Sequence, residues 1–357
     1  MGDLFKDILG SSESLFKNDL ALDYSFQPKI VPYREKEQKV VAYCIKPLFL
    51  EKPAKNVFIF GQPGVGKTVA CRHILKEMED ETEEIIPIYI NCWQRNTTYK
   101  IIVEICDLLG LKFVQNKKTE ELFRWVKQML NKKSAVFVLD EIDKIEDMDF
   151  VYMILEEIYR KSLVIITNYK EWLAELDDRI KSRLFCEVVE FKPYNLEETK
   201  GILRQRMDYA FHENVWEDDA FDLIAKKTHE LGDIRTGLYL MKESALIAED
   251  KSSRKVTFEH ARLALAKMDD FSIKNSAELK ADEQMVLDLI RKNSERRIGD
   301  FFKMYQAAGG KLVYKSFQRM IDRLEKSKFI TVEKTAGGEF GNTTIIKHNS
   351  EKKLTEF

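Results

Sequence analysis

NVFIFGQPGVGKTVACRHILKEM, residues 56–78, decides how this chain reads. Four of its first five residues are apolar and β-branched or aromatic, the composition of a buried strand. The next eight, Gly61, Gln62, Pro63, Gly64, Val65, Gly66, Lys67 and Thr68, fit G-x-x-x-x-G-K-[ST] without a mismatch, and a helix pattern runs on from Val69. Strand, glycine-rich bend and helix in that order make a phosphate cradle. Glycines let the backbone curl so that its N–H groups point inward, and the helix N-terminus adds its dipole. Lys67 supplies a point charge for the β- and γ-phosphates, and the Thr68 hydroxyl is expected to bind Mg²⁺. ATP or ADP with Mg²⁺ is therefore the expected occupant.

Outward from this motif, IPIYI (86–90), AVFVLD (135–140), LVIIT (163–167) and EVVEF (187–191) repeat the near-continuous apolar run of NVFIF. We expect five fully buried strands alternating with helices, the pattern of a parallel α/β sheet. The clearest helix is TEELFRWVKQML (119–130), with Thr119 as its cap and Leu122, Trp125, Val126 and Met129 on one stripe. A P-loop site needs a carboxylate at the end of a neighbouring strand. Asp140 meets that need for the metal, and Glu141 for orienting water. Asn168 is expected at the tip of a strand lying between those of the P-loop and Asp140, within reach of the γ-phosphate. In LDDRIKSRL, Arg179 and Arg183 stand four apart, predicting one helix face that could reach a nucleotide on a neighbouring subunit. In GDIRTGL, Arg235 opens a helix and is placed to return to the γ-phosphate.

Past Pro193 the strand signal gives way to helical spacing until about residue 270, then to helices 281–292 and 296–307, a Gly309-Gly310 break, a basic helix 314–326 and two strand-like runs around AGGEFGN. The last pattern reads as a winged helix. On its basic helix Phe317, Met320, Ile321 and Leu324 follow core spacing, leaving Lys315, Ser316, Arg319 and Arg323, with Lys334 of the wing, as DNA-binding candidates. Residues 271–357 hold 17 Lys+Arg against 12 Asp+Glu, or +5, within a chain whose formal net charge is −2. A basic tail on an acidic body suits a polyanionic partner. Five cysteines without C-x-x-C spacing read as buried free thiols rather than a zinc site. No apolar run reaches the roughly 18 residues that cross a bilayer, and MGDLFKDILGSSESLF lacks a basic leader and cleavage site, so a cytoplasmic protein is expected.

The order of these motifs resembles the AAA+ origin-recognition initiators, the archaeal type related to the eukaryotic origin-recognition and cell-division-cycle loading factors. It extends through ALDYSFQPKIVPYREKEQ (21–38), the P-loop, YINCWQRNTTYKIIVEI (89–105), VLDEID, ITN, DDRIKSRL, GDIRTGL and the tail. The resemblance implies an α/β P-loop NTPase (AAA+) base over 1–192 with an N-terminal arm 1–34, a helical lid over 193–272 and a winged-helix domain over 273–357. It implies Lys67, Thr68, Asp140, Glu141, Asn168 and Arg235 as nucleotide residues of the same chain, with Tyr33, Arg34, Val69, Tyr194 and Arg206 around the nucleotide. It makes Arg183, with Arg179 as a rival, the finger acting in trans. A further DNA-touching insertion would fall within 91–110. The implied activity is ATP-dependent marking of double-stranded origin DNA, with slow hydrolysis as a switch. The implied partners are the replicative minichromosome-maintenance helicase and other initiator subunits, on a nucleoid. Two other uses of the same engine stay open at this point: a signalling or transcription-regulating ATPase, and a clamp-loader or branch-migration motor.

Overall fold

The computed structural model describes residues 14–112, 114, 116–277, 281–293, 295–310, 312–326, 330–335 and 343–348. They fall into two compact units, Met1–Ala264 and Leu265–Phe357.

In the first unit, β1 (Asn56–Phe60), β2 (Ile85–Asn91), β3 (Ser134–Asp140), β4 (Lys161–Thr167) and β5 (Cys186–Glu190) form one sheet in the order β2-β3-β4-β1-β5. Every pairing is parallel. Side chains alternate across a strand, so each apolar run feeds two cores. Phe58, Phe137, Leu139, Leu163 and Ile165 face α3 (Thr98–Leu108), α4 (Thr119–Leu130) and α5 (Asp149–Glu157). Val57, Ile59, Val136, Val138, Val164 and Ile166 face α1 (Glu35–Ile45) and α2 (Lys67–Glu81).

The expectation of five fully buried strands holds for the central three and fails at the edges. β5 pairs only with β1, and its Glu187 and Val188 are exposed while Val189 is buried. β2, at the other edge, carries Pro87, whose missing N–H an edge strand tolerates. In α4 the cap is Lys118 rather than Thr119, and the buried stripe is Leu122, Phe123, Val126 and Leu130. Trp125 is half-buried and Met129 is exposed, because the helix is rotated to put Phe123 against the sheet. The cysteines are free; burial pushes their thiols up, and only Cys186, on the edge strand, is half-exposed.

Helices follow the sheet: α8 (Leu196–Ala210), opened by a reciprocal Asn195–Glu198 capping box, α9 (Asp218–Leu231), α10 (Ile234–Asp250) and α11 (Phe258–Ala277), which crosses the division between the units. Short helices α6 (Trp172–Glu175) and α7 (Asp178–Lys181) lie between β4 and β5. The arm packs on the helical part: Lys17 N and Asn18 N both donate to Ala210 O, and Phe16 stacks on Phe211 with centroids 5.0 Å apart.

The second unit contains α12 (Ala281–Lys292), β6 (Arg296–Arg297), α13 (Ile298–Ala307), α14 (Tyr314–Lys326), β7 (Ile330–Thr335) and β8 (Thr343–His348). The strands form an antiparallel sheet in the order β6-β8-β7, and the unit is a winged helix. The expected helix 296–307 begins two residues later, because Arg296 and Arg297 pair with Ile346 and Ile345 of β8 instead. Phe317, Met320, Ile321 and Leu324 are in its core as the spacing predicts, joined by Phe301 and Tyr305 of α13. Gly310 allows a close turn: a Cβ there would lie 2.1 Å from the Tyr305 ring.

Phe137 is wholly buried at the centre of the sheet and meets Phe150 edge-on at 6.5 Å. Phe137→Ala should destabilise the first unit by about 3–5 kcal/mol, read as a lowered urea midpoint at unchanged m-value.

Candidate nucleotide site

The site lies where β1, β3 and β4 end. Gly61, Gly64 and Gly66 turn the chain from β1 into α2. Two of them leave no room for a side chain: at Gly61 a Cβ would stand 2.3 Å from the backbone oxygen of Phe191, and Gly64, at φ +79°, has Asp233 Oδ1 2.2 Å from where a Cβ would stand. The bend brings Lys67 inward, 7% exposed, where Nζ donates to Gly61 O at 2.6 Å, Gln62 O at 2.9 Å and Asn168 Oδ1 at 2.8 Å. Asn168 follows β4, which lies between β1 and β3 as expected. Thr68 Oγ1 donates to Asp140 Oδ2 at 2.6 Å, and the same oxygen accepts from the Tyr89 hydroxyl at 2.8 Å. Tyr89 was missed in the sequence; its position at a neighbouring strand's end was the available signal.

Glu141 sits in a left-handed turn, φ 56°, immediately after β3. Burial raises its carboxyl pKa, and Asp140 adds to the rise. Arg235, at the start of α10, is held by the residue that caps that helix: its Nε donates to Asp233 Oδ1 at 3.0 Å and a terminal nitrogen to Asp233 Oδ2 at 2.7 Å. Its charge is felt by both Lys67 and Glu141.

Residues expected around the nucleotide divide. Arg34 is buried and braces the bend from behind: Nε donates to Val65 O at 3.1 Å and to the Tyr194 hydroxyl at 3.0 Å, and the guanidinium lies 3.9 Å from the Tyr194 ring centroid. Val65 is buried, Gln62 and Pro63 are exposed at the rim, and Val69 O accepts from Gln27 of the arm at 2.9 Å. Tyr33, φ 63°, directs its hydroxyl at Gly201 of α8. Arg206 is occupied elsewhere, donating to Ala21 O at 3.1 Å and Phe26 O at 3.2 Å, so it ties the arm to α8.

Arg179 and Arg183 do not share one helix, since α7 ends at Lys181. Arg179 is highly exposed and held by Asp177 through Nε at 3.1 Å, whereas Arg183 is ion-paired with Glu156 and lies 5.3 Å from the Tyr152 ring centroid. In the second unit Lys315 and Arg319 are exposed and Ser316 is half-buried. Arg323 is exposed but spends part of its charge on Glu283 at 3.2 Å. Lys334 is in β7, and its side chain lies outside the described residues.

Burial lowers the Lys67 pKa from its ordinary 10.5 to about 8, against the opposing pull of Asp140. The cost of holding this ammonium is fully present below pH 8. Between about 8 and 10.5 the unfolded chain keeps a proton that the folded one has released, so this group's contribution to stability rises with pH. Bound phosphates favour the ammonium. Nucleotide binding above pH 8 should therefore take up a proton and weaken by up to about tenfold per pH unit. Calorimetry at pH 9 in buffers of different ionisation enthalpy checks this, and absence of proton uptake would contradict it.

Residues 50–183 match the model of an AAA domain, and residues 200–266 that of the Cdc6 AAA+ ATPase-type lid domain. The ORC1-type DNA replication protein 1 of Sulfurisphaera tokodaii is 30% identical, over 99% of this chain and 98% of its own. The protein of that description from Archaeoglobus fulgidus is 29% identical, over 98% and 92%. The structure of the Aeropyrum pernix ORC1 protein in complex with DNA superposes with a TM-score of 0.71 at 24% identity, covering 95% of each chain. P-loop, lid and full-length likeness agree: this chain is an AAA+ ATPase belonging to the ORC1-type DNA replication protein family.

Proposed function

We propose that this chain is a replication initiator that binds origin double-stranded DNA in an ATP-controlled manner and recruits or loads the replicative minichromosome-maintenance helicase. The supporting observation is the convergence of three strand ends on one point: Lys67 to Asn168 at 2.8 Å and Thr68 to Asp140 at 2.6 Å. In this reading Lys67 and the bend's N–H groups hold the phosphates of ATP or ADP. Glu141 orients the attacking water, and Asn168 and Arg235 sense the γ-phosphate. Arg183 or Arg179 acts on a nucleotide held by a neighbouring initiator subunit. Thr68 Oγ1 and Asp140 Oδ2 are hard oxygen donors already brought together, which fits Mg²⁺, an ion that takes few protein ligands beside phosphate. Mg²⁺ would neutralise charge developing on the phosphoryl oxygens. Hydrolysis is slow and resets the grip.

The reading assigns 1–192 to the base with its arm, 193–272 to the lid and 273–357 to the DNA-binding domain. Lys315, Ser316, Arg319, Arg323 and Lys334 contact duplex there, and 91–110 supplies a second contact. The exposure of Trp93, Tyr99 and Lys100 in that segment supports the latter. We place the protein in the cytoplasm, on the nucleoid. No helix among the described residues is long and apolar enough to cross a membrane.

Lys67→Ala should abolish ATP binding, and a duplex footprint taken with and without ATP should change in the parent protein but not in this variant. Arg319→Ala with Arg323→Ala should weaken duplex binding roughly tenfold or more and flatten its salt dependence. An ATP-insensitive footprint in the parent would count against the switch; unchanged affinity in the double variant would remove the recognition-helix assignment. Genome-wide mapping should return a few discrete loci.

A further inference from the structure

We propose that Asp143 and Thr167 are positioning residues that fix Asn168 through a carboxylate–hydroxyl–amide relay. The proposal rests on the reading of Asn168 as a γ-phosphate sensor and says how that residue is aimed.

β3 ends at Asp140, the left-handed Glu141 reverses the chain, and a single 3₁₀ turn, Ile142–Lys144, returns Asp143 to the end of β4. There Asp143 Oδ1 accepts from Thr167 Oγ1 at 3.1 Å, and Thr167 Oγ1 accepts from Tyr169 N at 3.2 Å. Asn168 is the residue between these two tethered neighbours. A hydroxyl has one proton to give. Because Asp143 takes it, the oxygen's lone pair is left facing the Tyr169 amide, and the backbone on both sides of Asn168 is held. The Asn168 side chain then has one direction in which to meet Lys67.

Two features are hard to explain by packing alone. Thr167 is 1% exposed and ends a run in which Leu163, Val164, Ile165 and Ile166 are all aliphatic. A hydroxyl there costs stability unless it is bonded on both sides. Asp143 is a third carboxylate close to Asp140 and Glu141, and it helps raise the Glu141 pKa, so its presence carries an electrostatic cost. Lys144 offsets part of that cost, with Nζ 2.6 Å from Asp143 Oδ2 and lying 5.4 Å from the Trp93 ring centroid. An apolar residue at 143 and a valine at 167 would satisfy the sheet. The relay is what the polar pair adds.

The test measures steady-state ATP hydrolysis and the ratio of ATP to ADP affinity for the full chain and its Thr167→Val, Thr167→Ser, Asp143→Ala and Asn168→Ala variants, each checked for folding by thermal denaturation. Thr167→Val should lower kcat about 10- to 100-fold with ADP affinity within about twofold, and should lose the ATP preference to the same degree as Asn168→Ala. Thr167→Ser, which keeps the hydroxyl, should restore both. If Thr167→Val does not fold, Asp143→Ala, which removes the oxygen that accepts from the Thr167 hydroxyl, carries the same expectation without altering the strand. Loss of kcat and ATP preference in Asn168→Ala with both retained in folded Thr167→Val or Asp143→Ala would overturn the relay while leaving the sensor intact. Retention of both in Asn168→Ala would overturn the sensor assignment, and the relay with it.

Discussion

A lysine ammonium withdrawn almost wholly from water is the constraint around which the first compact unit is arranged. Three N–H donors need three acceptors if the charge is to remain there. Two come from the bend itself, Gly61 O and Gln62 O, and the third from Asn168 Oδ1. The first two require the bend to turn those carbonyls toward the ammonium, a path that Gly61, at φ 153°, helps to set. The third requires the strand ending at Thr167 to run directly beside the one that feeds the bend. With that neighbour fixed, the strand ending at Asp140 lies one place further out, and Thr68, the next residue along the helix, is the side chain that reaches it. Strand order, loop conformation and metal-side chemistry are thus linked through one buried charge.

A second cation carries the constraint to the helical part. Arg34 grips the carbonyl of Val65 from outside the bend and the Tyr194 hydroxyl just before α8, so the P-loop, the end of the sheet and the first lid helix share one guanidinium. The arm continues the link: Gln27 bonds the P-loop helix at Val69, and Arg206 of α8 bonds the arm at Ala21 and Phe26. A displacement of the bend therefore has two routes to the lid, one through Tyr194 and one through residues 17–31. The first is built from a carbonyl and a hydroxyl held by the buried Arg34, the second from carbonyls held by the half-buried Gln27 and the buried Arg206.

How much of this the sequence disclosed follows from how local each signal is. The bend, the Asp140–Glu141 pair and the place of Asn168 were legible, since each is a short motif tied to one strand end. The winged-helix core was legible because Phe317, Met320, Ile321 and Leu324 obey one period over a single helix. What stayed hidden depends on partners remote in sequence. Nothing near Arg206 announces Ala21, nothing near Arg323 announces Glu283, and a run such as LVIIT does not reveal which of its residues face which core. Thr167 was expected inside a buried strand, but its partner Asp143, which follows a different strand, was not legible from LVIIT. The edge position of β5 had one local sign, the glutamates Glu187 and Glu190 that interrupt EVVEF, and its pairing with β1 is what makes it plain.

The charges at the site suit the proposed response of the lid to an anion. Arg235 and Lys67 stand close enough for each to disfavour the other's charge, and burial penalises Lys67 further. On the opposite side Asp140, Glu141 and Asp143 repel one another, while Asp233 both lies against Gly64 and forks Arg235. Neither set is relaxed alone: the cations need negative charge that the neighbouring carboxylates supply only in part, and those carboxylates need a counter-ion. In the proposed function a polyanion with a divalent cation would satisfy both sets at once, with Arg235 exchanging Asp233 for the phosphates. Such an exchange would couple α10 to the occupant, because the favourable contacts would differ before and after it. The lysine is set by the order of the strands and the arginine by the Asp233 cap of α10, so sheet and helix each contribute one of the two cations.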